Sequence, residues 1–122
     1  MMSHLHKGLC FETGAARYLE NQGCQLLTRG FRCRLGEIDL IVKDQDFICF
    51  VEVKFRQTLS FGGAAYAIPA TKQRRLIKTA QYFIQENPQI ANQAMRFDAL
   101  LIQQQANHSF RCNWIKNAFY GE

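Results

Sequence analysis

Hydrophobic and polar positions along the chain fall into two rhythms. From Leu9 to Asn21, Phe11, Ala15, Tyr18 and Leu19 recur at three- and four-residue spacing, which predicts a helix with one apolar stripe. Asn21-Gln22-Gly23 ends it, with Gly23 suited to a left-handed cap. Gln25 to Arg34 mixes Leu26, Leu27, Phe31 and Cys33 with polar residues and reads as a strand, which Gly36 breaks. Glu37 to Lys43 and Phe47 to Arg56 are rich in Ile, Val and Phe and predict two more strands. The short polar stretch Lys43-Asp44-Gln45-Asp46 joins them as a hairpin. Gln57 to Ala67, with Gly62 and Gly63, reads as a loop. Thr71 to Glu86 predicts a second helix, stopped by Asn87-Pro88. Asn87 to Ala94 is a connection, Met95 to Gln104 a fourth strand and Phe110 to Ile115 a fifth. The order α-β-β-β-α-β-β predicts an α/β protein whose mixed central sheet is flanked by helices. A length of 122 residues corresponds to one domain, 1–122.

The third strand carries the candidate chemistry. Side chains alternate across a strand, so Phe47, Cys49, Val51, Val53 and Phe55 share one wholly apolar face. Ile48, Phe50, Glu52, Lys54 and Arg56 share the other, which turns charged halfway along. Such a strand suits a sheet whose end opens into a cleft. A loop at 43–46 or at 44–45 pairs Val42 with Phe47 or Lys43 with Asp46, which is one register. It sets Glu37 opposite Glu52 and Asp39 opposite Phe50, with Asp39 diagonal to Glu52 on the same face. Opposite and diagonal neighbours lie roughly 4.5–8 Å apart. Asp39, Glu52 and Lys54 therefore converge, with Glu37 beside them as a supporting carboxylate. A loop of three or five residues would put the first strand's acids on the other face. Carboxylates this close need a cation, and a hard divalent ion such as Mg²⁺ or Mn²⁺ suits oxygen ligands. Lys54 would orient a water or stabilise charge on a phosphate. The alternative is a solvated salt-bridge ladder neutralised by Lys54 and Arg56.

Glu12 lies about 60° from the centre of the first helix's stripe at 100° per residue, on its inward edge. It reads either as a further metal carboxylate or as a salt-bridge partner for an arginine of the next strand. The second helix has Leu76, Ile77, Ala80, Phe83 and Ile84 on its apolar face, with Arg74, Arg75 and Lys78 opposite. Lys72 sits on the border, where it could reach the cleft from the helix N-terminus. Arg32 and Arg34 share one face of the strand before, and Arg29 the other. Asp98, alternating with Arg96, reads chiefly as a local pair.

Charge adds a partner class. A formal net charge of +5 leans toward a polyanion. The five cysteines have no C-x-x-C pair, and Cys49 reads as a small core residue. No apolar run approaches the length of a membrane span, and the N-terminus has no signal-peptide core. The chain reads as cytoplasmic.

Glu12-Thr13-Gly14-Ala15-Ala16-Arg17-Tyr18-Leu19, Phe31-Arg32-Cys33-Arg34-Leu35-Gly36-Glu37-Ile38-Asp39-Leu40-Ile41, Phe50-Val51-Glu52-Val53-Lys54-Phe55-Arg56, Lys72-Gln73-Arg74-Arg75-Leu76 and Arg96-Phe97-Asp98 resemble the YraN-type family of small bacterial proteins. That family is similar to the restriction-endonuclease-like superfamily, whose PD-(D/E)xK site also occurs in archaeal Holliday-junction resolvases. The resemblance implies an αβββαβ core. It puts Asp39, Glu52 and Lys54 on the metal-binding and catalytic positions and Glu12 on the helical carboxylate of the resolvase branch. Ile38 stands where the motif names proline, and Phe11 where the family usually has glycine.

Two functions follow as expectations. One is a Mg²⁺- or Mn²⁺-dependent endonuclease hydrolysing phosphodiester bonds in DNA, branched or damaged DNA included. Asp39, Glu52 and Glu12 would hold the metal, and Lys72, Arg56, Arg74, Arg75 and Lys78 the nucleic acid. The alternative is a non-catalytic nucleic-acid-binding module that keeps the nuclease fold. A homodimer through a strand edge or Phe110–Tyr120 is compatible with either.

Overall fold

The computed structural model describes residues 4–56 and 68–119, with side chains from 13 to 55 and from 68 to 119. The predicted loop at 57–67 and the side chains of Glu12 and Arg56 lie outside the described residues. The elements run α1 (His4–Asn21), β1 (Gln25–Cys33), β2 (Gly36–Asp44), β3 (Phe47–Arg56), α2 (Ala70–Glu86), a 3₁₀ turn (Pro88–Ile90), β4 (Ala94–Gln104) and β5 (Phe110–Phe119). This is the element order expected. α1 begins earlier than its apolar stripe, at His4, and β5 continues past Ile115 to Phe119.

Local chemistry sets the boundaries. α1 closes in a Schellman motif: the Cys24 N–H donates to the Leu19 carbonyl and the Gly23 N–H to the Glu20 carbonyl, both at 3.0 Å. Gly23 takes the left-handed φ of 98° that this cap requires. At the end of α2 the Asn87 side chain donates to the Phe83 carbonyl at 2.8 Å, and Pro88 blocks continuation.

The five strands form one mixed sheet in the order β1-β2-β3-β4-β5. All neighbours are antiparallel except β3 and β4, which run parallel and are joined through α2. Each face of the sheet carries a helix. Ala15, Ala16 and Leu19 of α1 pack on Leu40, Val42, Cys49, Val51, Leu100 and Ile102. Leu76, Ala80 and Phe83 of α2 pack on Ile41, Ile48, Phe50 and Phe97. Both faces of β3 are therefore core where it begins, which is why its two alternating sets are apolar there. The Phe31 ring meets Phe83 edge-on at 5.1 Å and fixes α2 over the β1–β2 side. Thr79 is buried within this apolar face, its hydroxyl satisfied by the Arg75 carbonyl at 2.8 Å. Cys49 is fully buried, and burial pushes its thiol up to about 12. No helix among the described residues is long and apolar enough to cross a membrane.

The hairpin register differs from the expected one by two residues. Asp44 pairs with Phe47 and Leu40 with Val51, so the turn is Gln45-Asp46, with Gln45 at φ 55°. Asp44 stays in the strand because its carboxylate accepts a hydrogen bond from Arg96 of β4 at 2.8 Å. A shift of two keeps Asp39, Glu52 and Lys54 on one face. Continued one step past Leu40 and Val51, the register brings Asp39 opposite Glu52 rather than opposite Phe50.

Candidate functional site

Glu37, Asp39, Glu52, Lys54, Lys72 and Arg75 line one cavity of about 600 Å³, together with Arg32, Cys33, Gly36, Val53 and Leu76. The cavity opens where β3 runs beyond the cover of α2 and its face changes from Ile48 and Phe50 to Glu52 and Lys54.

Asp39 sits where the β2–β3 ladder ends. Ile38 packs in the α2-side cluster and Leu40 in the α1-side cluster, so strict alternation slips at Asp39. The β1 register sets Gly30, at φ 65°, opposite it. Past Leu40 and Val51 the Asp39 side chain takes over from the backbone: its Oδ2 accepts the Val53 N–H at 2.8 Å. Burial raises the Asp39 pKa, the Val53 hydrogen bond opposes that rise, and the nearby Glu52 charge adds to it. Glu52 is only 5% exposed and forms an ion pair with Lys72, whose side chain is 41% exposed.

Lys72 comes from the first turn of α2, which has no acidic residue and no side-chain cap at Pro69. α2 approaches this closely because residue 36 is glycine. A Cβ there would meet the Thr79 hydroxyl at 2.8 Å and the Arg75 stem at 3.1 Å, and its φ of 153° also disfavours a side chain. The Arg75 stem lies across that gap, and Arg75 lines the cavity.

The expected constellation is assembled in part. Asp39, Glu52 and Lys54 are brought together, and Lys72 reaches them. Glu37 is not opposite Glu52. It faces Arg32 across the β1–β2 pair, bonded at 3.0 Å and with its side chain 61% exposed, so it belongs to the rim. The basic face of α2 is split, with Arg75 at the cavity and Arg74 and Lys78 exposed away from its lining. Arg32 at the rim was not among the expected site residues, although it belongs to the basic set Arg29, Arg32 and Arg34 of β1; its register opposite Glu37 puts it there.

No group of three or more His, Cys, Asp or Glu side chains forms a metal cage among the described residues. Asp39 and Glu52 remain as two hard oxygen donors, one of them with its carboxyl raised by burial. That donor set suits Mg²⁺, which takes one or two protein carboxylates and completes its shell with water and phosphate oxygens. Lys72 already gives Glu52 a counter-charge, so the two acids do not stand together without a cation.

Asp98 has a separate role. Arg96 pairs with Cys49 and Asp98 with Val51 in the parallel register, so both lie on the α1 face, away from Glu52. The Asp98 carboxylate accepts from Arg96 Nε at 3.0 Å, Trp114 Nε1 at 2.9 Å and the Asn117 N–H at 3.0 Å. Arg96 also bonds Asp44 and lies under the Phe47 ring at 5.2 Å. Burial works against the Arg96 charge, but these carboxylate bonds hold its pKa above the usual arginine value.

A helix, three strands, a helix and two strands in one mixed sheet, with carboxylates and lysines gathered in a cavity beside the first turns of α2, define a small α/β protein with a charged cleft. Within that class the chain belongs to the Uncharacterised protein family UPF0102, whose model matches residues 11–102. It is 40% identical over 122 residues to a UPF0102 protein of Alcanivorax borkumensis, covering all of this chain and 98% of that one. It is 44% identical over 119 residues to the UPF0102 protein NE0719 of Nitrosomonas europaea, covering 98% of each. Among solved structures, Pyrococcus furiosus SfsA in complex with Ca²⁺ is a distant likeness, with TM-score 0.43 and 18% identity. The match covers 89% of this chain and 62% of that one.

Proposed function

We propose that this protein is a Mg²⁺-dependent endonuclease that hydrolyses phosphodiester bonds in DNA, including branched or damaged DNA. The observation that carries the reading is the convergence of Asp39, Glu52 and Lys54 in one cavity bordered by Lys72 and Arg75. Asp39 and Glu52 hold the ion, with Glu12 as the further carboxylate expected from the resemblance. Bound Mg²⁺, or Mn²⁺ in its place, supplies Lewis-acid charge at the phosphate and a more acidic water. Lys54 orients the attacking water and offsets the charge growing on the phosphoryl oxygens. The water gives up a proton to solvent as its oxygen bonds to phosphorus, the bond to the leaving sugar oxygen breaks, and that oxygen takes up a proton from solvent. Lys72 and Arg75 hold the scissile phosphate. Arg56, Arg74 and Lys78 serve the flanking phosphates, and the net charge of +5 favours that encounter.

The test is a cleavage screen over single-stranded, duplex, flapped and four-way DNA with Mg²⁺ and Mn²⁺, run beside Glu52→Gln. Cleavage by the wild type and none by Glu52→Gln is the expected result. A second reading, a non-catalytic nucleic-acid-binding module, is favoured by the Lys72–Glu52 ion pair, which neutralises Glu52 with no metal. That reading expects salt-sensitive DNA binding, no cleavage of any substrate, and no thermal shift at millimolar ion with or without DNA.

A further inference from the structure

We propose that Lys72 is an internal counter-ion that holds Glu52 until a nucleic-acid phosphate draws it away, so that DNA binding and divalent-ion binding strengthen each other. The inference rests on the metal-dependent reading above and concerns the regulation of that same site.

Three observations carry it. Glu52 is almost fully buried, and a buried carboxylate is costly without a cation. Its partner Lys72 is a long, partly exposed side chain, able to swing outward without disturbing the core. Lys72 also carries a positive charge in the first turn of a helix, the end where the backbone dipole disfavours one, and that turn holds no acid to compensate. Glu52 is thus what holds the lysine there.

A phosphate entering the cavity meets Lys72 and Arg75. It competes with Glu52 for the Lys72 ammonium. Once Lys72 pairs with the phosphate, buried Glu52 and half-buried Asp39 are two neighbouring carboxylates with a cation removed, and their affinity for a divalent ion rises. By linkage, the ion raises affinity for the phosphate by the same factor. The protein without DNA then binds its metal weakly and becomes a competent metal site chiefly on substrate.

The experiment is a Mn²⁺ titration followed by the electron paramagnetic resonance of the free ion, corrected for Mn²⁺ bound by DNA alone. It compares wild type, Lys72→Ala, Lys72→Gln, Lys72→Arg and Glu52→Gln, each with and without a short DNA duplex. Circular dichroism checks that each variant is folded, and Lys72→Gln serves if Lys72→Ala is not. Wild type should bind Mn²⁺ about tenfold tighter with DNA present. Lys72→Ala and Lys72→Gln should bind it about tenfold tighter than wild type without DNA and gain little when DNA is added. Lys72→Arg, which keeps the charge, should behave like wild type. Equal or weaker Mn²⁺ binding by the neutral variants without DNA, or an undiminished DNA effect in them, overturns the counter-ion role and leaves the metal site standing. Absence of site binding in every arm, with Glu52→Gln indistinguishable from wild type, overturns the metal reading itself and this proposal with it.

Discussion

Asp98→Asn separates scaffold from site. The substitution preserves size and shape but removes the charge and turns one acceptor oxygen into a donor. Oδ1 accepts from Arg96 Nε and the Asn117 N–H, each at 3.0 Å, and Oδ2 from Arg96 Nη2 at 3.0 Å and Trp114 Nε1 at 2.9 Å. With the amide nitrogen at the Oδ1 position the Asn117 N–H loses its acceptor and Arg96 Nε keeps only its 3.2 Å bond to Oδ2; at the Oδ2 position Trp114 Nε1 and Arg96 Nη2 lose theirs. Arg96, itself only 6% exposed, keeps Asp44 as its one remaining counter-charge among the described residues. Removing one partner of a buried ion pair costs about 3–5 kcal/mol. The surviving Asp44 bond puts the expected loss at the lower end, about 3 kcal/mol. Domains of ordinary size have about 5–15 kcal/mol in total, so the variant folds but with a clearly lower denaturation midpoint. The assay is guanidinium denaturation followed by far-ultraviolet circular dichroism, because Trp114 belongs to the network and its fluorescence would report the local change. The denaturant slope should be unchanged. Mn²⁺ and DNA binding by the folded variant should match wild type, since the network lies on the opposite face of the sheet from Glu52. A loss under about 1 kcal/mol, the value of an ordinary single hydrogen bond, would refute the buried-pair reasoning. Impaired DNA or metal binding at unchanged stability would assign Asp98 to a site instead.

Asp39→Asn should raise the melting temperature at neutral pH while abolishing metal binding. Its folded pKa is raised by burial, so the charged form costs stability above the ordinary aspartate range, and that cost is relieved as pH falls through the raised folded value. The advantage of the variant over wild type should therefore shrink on acidification in a calorimetric pH series. Asp44 has the opposite sign. Its bond to Arg96 lowers its pKa, so its contribution is present above about 3.9 and is lost as pH falls further through the folded value. Asp44→Asn should lower stability at neutral pH and flatten this acid limb. Gly36→Ala should cost about 1–3 kcal/mol by overpacking against Thr79 and Arg75, and should weaken DNA binding by moving the α2 N-terminus. Arg75→Glu should weaken DNA binding more than Arg74→Glu or Lys78→Glu, measured by fluorescence anisotropy over a salt series. Equal effects of the three reversals would mean that the cavity is not where phosphate binds.

Periodicity alone determined the element order, the two-sided burial of β3 and the separation of apolar from charged positions along it. These depend on which side chains repeat at 3.6 and at 2 residues, and such spacing is local. The Gly23 cap and the Asn87-Pro88 stop were legible for the same reason. The grouping of Asp39, Glu52 and Lys54 survived a two-residue error in register because face membership depends only on parity. The tertiary structure decided the rest. Asp44 looked like a turn residue, and only Arg96, far along the chain, makes it part of a strand and of a buried network. Glu37 looked like a neighbour of Glu52, and only the register of β1 turns it toward Arg32. The basic residues of α2 carry no mark in sequence of which ones face the cavity. That is set by how closely the helix lies on Gly36, which brings Lys72 to Glu52 and Arg75 to the rim and leaves Arg74 and Lys78 in solvent. Local spacing assigns a side chain to a face, but pairing between charges requires segments distant in sequence to meet, and that is fixed only when the helix docks on the sheet.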